Sequence, residues 1–292
     1  MELRTLRSFL AVAREGNVTR AARQLHITQP ALSRQLSELE REMGCELLLR
    51  EPRGVTLTEQ GMLLRKRAEE IVSLADRTER ELRAPAAEVE GDVWVGGGES
   101  RAMALVAQVA TLIADEHPGV RLRIHSGNGV DVLERVEKGL LDFGVVFGKE
   151  PDARYESLRL QHEDRWGVLM RRDHSLANRE EISLADLRGE RLITSAEGAT
   201  LAEEATPMAE RLAKADLHVA ATYTLLYNAS LLVEAGMGVA VCFDGIVATG
   251  DGTPFVYVPL SGVPTMPAHL VWKRFQPLSR ACELFLKGMR GE

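Results

Sequence analysis

The apolar positions divide the chain into three stretches with different patterns. Leu3, Leu6, Leu10 and Ala13 recur every three or four residues, with Phe9 beside them, which predicts a helix. Gly16 stops that helix, and the short polar side chain of Asn17 suits the free N–H groups at the start of the next, whose apolar face is Ala21, Ala22 and Leu25. Thr28 caps a third helix, Pro30 is tolerated in its first turn because its missing N–H has no partner there, and Leu32, Leu36 and Leu39 continue the period. Only His26-Ile27-Thr28 separates the second helix from the third, and alanines stand where the two must approach. That is a helix-turn-helix pattern. The short apolar stretch from Gly44 to Arg50, the turn Glu51-Pro52-Arg53-Gly54 and the alternating Val55-Thr56-Leu57-Thr58 then predict a two-stranded wing.

The second stretch holds no proline from Gly54 to Ala84. Gly61, Leu64, Ala68, Ile71, Ala75, Thr78 and Leu82 follow at spacings of three and four, flanked by Arg65, Lys66, Glu69, Glu70, Arg77 and Glu79. A narrow apolar seam between charged flanks predicts a long helix that pairs with a partner helix. Arg83-Ala84-Pro85 reads as the hinge after it.

From Asp92 onward short strand-like runs alternate with helix-like ones. The strand-like runs include Val93-Trp94-Val95-Gly96, Val120 to His125, Asp142 to Phe147, Trp166 to Met170, Arg191-Leu192-Ile193-Thr194, Val219 to Thr222, Val239 to Phe243, Phe255 to Val258 and Ala268 to Trp272. Helices are expected over about 103–117, 130–139, 200–215, 226–235 and 278–287. Alternating strands and helices predict an α/β fold with a largely parallel sheet.

Length and charge sharpen this division. At roughly 100–200 residues per domain, 292 residues allow about two domains. The formal charge of −7 argues against a nucleic-acid binder only as an average. Residues 1–34 carry six arginines against Glu2 and Glu15, whereas residues 91–292 hold 21 Lys and Arg against 28 Asp and Glu. A basic N-terminal segment therefore precedes an acidic body. No run approaches the ~18 apolar residues of a membrane span, and Met1-Glu2-Leu3-Arg4 does not open a secretion signal, so the expected location is the cytoplasm. The three cysteines, Cys45, Cys242 and Cys282, are too far apart for a CxxC metal site, and no cofactor is expected.

The third helix presents Gln29, Ser33, Arg34 and Ser37 opposite its leucines, side chains able to hydrogen-bond base edges or phosphates. With Thr28 and Pro30 at the helix start and Arg50 and Arg53 on the wing, they form the candidate DNA-binding set. The alternative is a small helical cap with solvated arginines; the agreement of caps, turn, polar face and local charge favours DNA.

These residues resemble a known family. Phe9-Leu10-Ala11-Val12-Ala13, Asn17-Val18-Thr19-Arg20-Ala21-Ala22, the run from Leu25 to Leu36, Leu39-Glu40 and Leu57-Thr58-Glu59-Gln60-Gly61 are similar to the DNA-binding domain of LysR-type transcriptional regulators. Leu48 departs from the pattern, which usually has an aromatic residue there, as does Cys45, where a small apolar residue is usual. Further on, Asp142-Phe143-Gly144-Val145-Val146, Asp173-His174-Ser175-Leu176-Ala177, Ser183-Leu184-Ala185-Asp186-Leu187 and the run from Val233 to Ala240 resemble the family's effector domain, while Phe243-Asp244 replaces its common leucine-proline.

The resemblance implies a winged helix-turn-helix over 1–58, a dimerising linker helix and hinge over 59–87, and an effector domain over 88–292. The last is expected to be built like a type II periplasmic binding protein, with subdomain I over about 88–160 and 266–292 and subdomain II over about 161–265. It also implies operator DNA as a partner, self-association as a dimer or tetramer, contact with RNA polymerase and a small-molecule effector in the cleft. Ligands of open α/β sheets sit at the carboxyl ends of strands. That rule nominates Gly98, Glu99, Ser100, Ser126, Asn128, Phe147, Lys149, Ser195, Thr200 and Asn228 as effector-binding residues, each with a helix cap or solvated loop as its alternative.

An enzyme is the rival class. Gly98-Glu99-Ser100-Arg101-Ala102 sits between a strand and a helix like a nucleophile elbow, but its last glycine is missing and no histidine is ordered beside it, so no catalytic activity is expected.

Overall fold

The structure, a computed structural model, describes residues 1–51, 54–83, 89–148, 151–195, 207–215 and 217–292, without the side chains of Arg50, Arg80, Glu81, Arg83, Pro207, Ala209 and Ala213. The chain divides into two compact units, Met1–Pro85 and Ala86–Glu292.

In the first unit, α1 (Leu3–Glu15), α2 (Val18–Gln24) and α3 (Gln29–Met43) precede the hairpin of β1 (Leu48–Glu51) and β2 (Gly54–Leu57), and α4 (Glu59–Arg83) closes it. The caps explain the boundaries. Gly16 takes the left-handed conformation, with φ +58°, that ends α1. Asn17 Oδ1 accepts from the Arg20 amide at 3.0 Å, and Thr28 Oγ1 accepts from the Ala31 amide at 3.4 Å. Phe9, Val12, Ala21, Ala22, Leu32, Leu36, Leu39, Leu47 and Leu48 form one buried core, so Leu48 does the work of the aromatic residue it replaces. Cys45 only packs against that core, half-buried.

The α4 seam is divided between two uses. Gly61 and Ala68 are buried and Leu64 joins the core, so the first third of the seam is spent on its own unit. Ile71, Leu74 and Leu82 remain exposed. The sequence period could not separate the two uses, because both need an apolar residue every three or four positions.

The second unit contains two five-stranded sheets. The first has the order β4-β3-β5-β12-β6, from β3 (Gly91–Gly97), β4 (Val120–Ser126), β5 (Phe143–Phe147), β6 (Tyr155–Asp164) and β12 (Met266–Lys273). Helices α5 (Met103–Glu116), α6 (Gly129–Glu137) and α9 (Arg280–Arg290) belong to this lobe. The second has the order β11-β7-β10-β8-β9, from β7 (Trp166–Arg171), β8 (Leu192–Ser195), β9 (Val219–Tyr223), β10 (Val239–Phe243) and β11 (Phe255–Pro259). Its helices are α7 (Pro207–Lys214) and α8 (Leu226–Glu234). Residues 200–206 of the helix expected over 200–215 lie outside the described residues.

The chain crosses from one sheet to the other between Asp164 and Trp166 and returns between Pro259 and Met266. The two crossings also correct the expected parallel arrangement. Strands β3, β4 and β5 pair in parallel, as do β8, β9 and β10, but β12 runs antiparallel to both β5 and β6, and β7 antiparallel to both β10 and β11. Only strands joined by a helical crossover are parallel; those that enter or leave a lobe directly are not.

Candidate functional site

The start of α3 carries the DNA-facing candidates. Leu32, Leu36 and Leu39 are fully buried, which fixes the rotation of the helix and turns Gln29, Arg34 and Ser37 to the exposed side, with Ser33 partly covered. Gln29 Nε2 donates to Ser33 Oγ at 2.9 Å, ordering two of the four. Arg34 makes no ion pair among the described residues. Thr28 is the cap, with its hydroxyl turned to the helix backbone, and Pro30 occupies the first turn. The turn ahead of α3 needs His26 in the left-handed region, with φ +54°, an uncommon conformation for a residue with a Cβ. The wing hairpin is docked on the α1–α2 turn by the Val55 amide donating to the Gly16 carbonyl at 2.8 Å. Arg50 lies in that hairpin's first strand opposite Val55, but its side chain, like the whole of Arg53, lies outside the described residues.

Sequence reasoning missed Glu40. Its Oε1 accepts the amides of both Leu47 and Leu48, at 2.9 and 3.1 Å, and so ties the end of α3 to the wing. Leu39-Glu40 belongs to the family motif, which was the available signal.

In the second unit a cleft of about 330 Å³ is lined by Gly97, Gly98, Glu99, Ser100, Met103, Ile124, Ser126, Gly245 and Ile246. Four of the predicted residues, Gly98, Glu99, Ser100 and Ser126, meet there. Met103, Ile124 and Ile246 give it an apolar wall, and on sequence alone they are indistinguishable from core residues.

The other predicted positions are placed differently. Asn128 is spent as the α6 cap, its Oδ1 accepting the Asp131 amide at 2.8 Å. Phe147 packs its ring on Phe243 with centroids 5.6 Å apart, and Phe243 packs in turn on Trp166 at 4.2 Å. Ser195 ends β8 and Asn228 is exposed on α8; neither lines the cleft. Lys149 and Thr200 lie outside the described residues.

Phe243-Asp244, the departure from the family pattern, acts at the crossing between lobes. Phe243 bridges aromatic rings of both sheets, and Asp244 Oδ1 accepts the Arg165 amide at 3.2 Å. Tyr257 Oη donates to the Arg165 carbonyl at 2.8 Å, so the crossing residue is held on both sides.

Ser100 is not arranged as a nucleophile. Its hydroxyl donates to Asp164 Oδ2 at 2.5 Å and accepts the Ala102 amide at 2.9 Å, while His162 Nε2 lies 3.2 Å from the other Asp164 oxygen. The carboxylate stands between serine and imidazole, the reverse of the order in which a histidine takes a serine proton. Asp164 is fully buried, and burial raises its pKa above the usual carboxylate value against the opposing hydrogen bonds from Ser100, His162 and the Arg101 amide. Across the cleft mouth, the Glu99 carboxylate accepts the Leu226 amide at the start of α8.

A helix-turn-helix unit with a docked wing, followed by a two-lobed α/β unit with a cleft, is the architecture of a transcription regulator that carries its own ligand-binding domain. The profile of bacterial regulatory helix-turn-helix proteins of the lysR family matches residues 3–62, and that of the LysR substrate binding domain matches residues 86–292. The chain belongs to the LysR family of transcriptional regulators.

It is 28% identical over 244 residues to an uncharacterized helix-turn-helix-type transcriptional regulator, YybE, of Bacillus subtilis (strain 168), covering 84% of this chain and 83% of that one. It is 35% identical over 190 residues to the regulator BudR of Raoultella terrigena, covering 64% and 65% of the two chains. Its fold is similar to that of CbnR, a LysR family regulator crystallised at full length with its target DNA; the TM-score is 0.74 at 21% identity, over 100% of this chain and 99% of CbnR. Among the described residues no helix is long and apolar enough to cross a membrane.

Proposed function

We propose that this regulator grips operator DNA as a dimer, laying the first half of α3 in the major groove with Gln29, Ser33, Arg34 and Ser37 at the base edges and Arg50 and Arg53 of the wing at the backbone. The carrying observation is the exposed polar side of α3, held in place by three fully buried leucines on the opposite side. The basic charge of residues 1–34 supplies the electrostatic attraction to phosphate. The exposed Ile71, Leu74 and Leu82 of α4 supply the seam for a second subunit, and two-fold symmetry then presents two α3 helices to two half-sites. Pairs of dimers make the tetramer.

The cleft of the second unit takes a small-molecule effector, and its opening and closing shift the subunit arrangement on DNA. The protein works in the cytoplasm, contacts RNA polymerase at the promoter and performs no catalysis of its own.

The test is fluorescence anisotropy on a duplex selected from random-sequence DNA by the full-length wild-type protein. Arg34→Ala is expected to weaken binding by roughly 1–3 kcal/mol, the worth of a bidentate base contact, with an unchanged melting temperature. Unchanged affinity would remove Arg34 from the interface.

A further inference from the structure

Among the described residues, three helix starts around this cleft are already occupied by the protein's own acceptors. Anions in α/β folds are held at helix N-termini, where unpaired amides and the helix dipole point outward. Ahead of α5, the buried Asp164 takes the Ser100 hydroxyl and the Arg101 amide. At α8, Glu99 takes the Leu226 amide. At α6, Asn128 takes the Asp131 amide at 2.8 Å.

Ser100 has no proton left for a ligand, because its hydroxyl hydrogen is committed to Asp164. Among the described residues, two of the basic groups nearby are already paired. His125 and Arg135 are both bound to Asp131, at 2.5 and 2.8 Å, and the stem of Arg101 lies against Gly245 at the rim. No Lys or Arg is among the described residues that line the cleft. What faces a ligand is the Glu99 carboxylate, the Ser126 hydroxyl and an apolar wall of Met103, Ile124 and Ile246. Glu99 is anchored through one oxygen, and a carboxylate has further lone pairs to offer.

We propose that the effector is a small organic ammonium ion with an apolar body, that its cationic head pairs with Glu99, and that Glu99 is the residue that excludes carboxylates. This rests on the reading that the cleft is the effector site. A charge-assisted hydrogen bond in a partly desolvated site favours the cation by about tenfold or more over its anionic isostere.

The experiment measures the thermal shift and calorimetric affinity of the full-length protein, near neutral pH and at fixed ionic strength, with cyclohexylmethylamine and with cyclohexanecarboxylate. The amine is expected to bind at least about tenfold more tightly than the carboxylate. Glu99→Gln, which keeps an acceptor for the Leu226 amide, is expected to abolish that preference. Equal or tighter binding of the carboxylate, an undiminished preference in Glu99→Gln, or no binding of either probe would overturn the proposal.

Ile124→Trp, at a half-exposed position on the cleft wall, separates the two levels of the argument. Carboxylate binding that Ile124→Trp abolishes would leave the cleft as the effector site and overturn only its charge preference. Amine binding that survives Ile124→Trp would place the ligand elsewhere and overturn the cleft reading as well.

Discussion

The Ser100 hydroxyl lies 2.5 Å from Asp164 Oδ2, joining the start of α5 to the last residue of β6 where the chain leaves its first sheet. Asp164 is fully buried, and burial lifts its pKa above the ordinary value. Between those two values the folded protein keeps a proton that the unfolded chain has released. Stability therefore falls as pH rises through that window and levels off above it. Asp164→Asn, isosteric and never charged, is expected to remove this slope. Urea denaturation of both proteins from about pH 4 to neutrality measures it; parallel pH profiles would show that Asp164 titrates as it does in the unfolded chain.

Removing the donor acts in the opposite direction. Ser100→Ala leaves a buried carboxylate oxygen short of a hydrogen bond, a loss of about 1–3 kcal/mol. The same denaturation experiment is expected to show it, with the deficit shrinking in acid as Asp164 takes up its proton. A deficit below about 0.5 kcal/mol would mean that solvent replaces the hydroxyl.

How much of this was legible in the sequence depends on how local the cause was. Gly16, Asn17 and Thr28 end or start helices through backbone atoms within four residues of themselves, so the first three helices could be read directly. The Pro/Gly turn likewise announced the wing. The Ser100–Asp164 contact spans 64 residues, and no period within either segment encodes it. The cleft wall was hidden for a different reason. Ile124 falls on an edge strand and Ile246 in a loop after β10, and an apolar residue at either place looks like ordinary core. Asn128 stayed between two readings because a polar residue after a strand reads equally as ligand contact or cap, and here its Oδ1 caps α6.

Gly61 is demanded by a close approach. A Cβ built there would stand 2.1 Å from the Leu47 carbonyl oxygen, with backbone on both sides of the contact. Thr58 sets the distance, because its hydroxyl donates to the Glu46 carbonyl at 2.8 Å and accepts the Gly61 amide at 2.9 Å. Alanine favours a helix interior over glycine by up to about 1 kcal/mol, but the forced shift of α4 or the wing costs about 1–3 kcal/mol. Gly61→Ala is thus expected to lower the melting temperature of the protein in calorimetry. A rise would show that the helix start moves at no cost.

Glu40 holds the wing by charge as well as geometry. Its Oε1 satisfies the amides of Leu47 and Leu48, both buried side chains of the first unit's core. Glu40→Gln keeps an acceptor but loses the charge assistance, for about 1 kcal/mol, whereas Glu40→Ala leaves two amides without their acceptor and is expected to cost about 1–3 kcal/mol. Chemical denaturation ranks the three proteins, with wild type most stable and Glu40→Ala least. Equal losses in both variants would mean that the carboxylate's charge, and not the mere presence of an acceptor, matters.

The cysteines provide the sharpest separation by environment. Cys242 is buried in the second lobe with Leu169 and Ile193, and its thiol is pushed up to about 12, chiefly by burial, against a hydrogen bond from the Leu169 backbone and with the Asp244 charge adding to it. Cys282 is fully buried in the first lobe with Val93 and Phe143, and Cys45 is half-buried in the first unit. A thiol attacks as its thiolate, and a disulfide needs Cα atoms within about 7 Å, which two separate cores do not bring together. Native protein treated with a thiol-reactive aromatic disulfide near neutral pH is expected to lose one thiol, Cys45, quickly, and the other two only on unfolding. Mass spectrometry of the labelled peptides reads the order. Rapid labelling of Cys242 would reveal an opening of the second lobe.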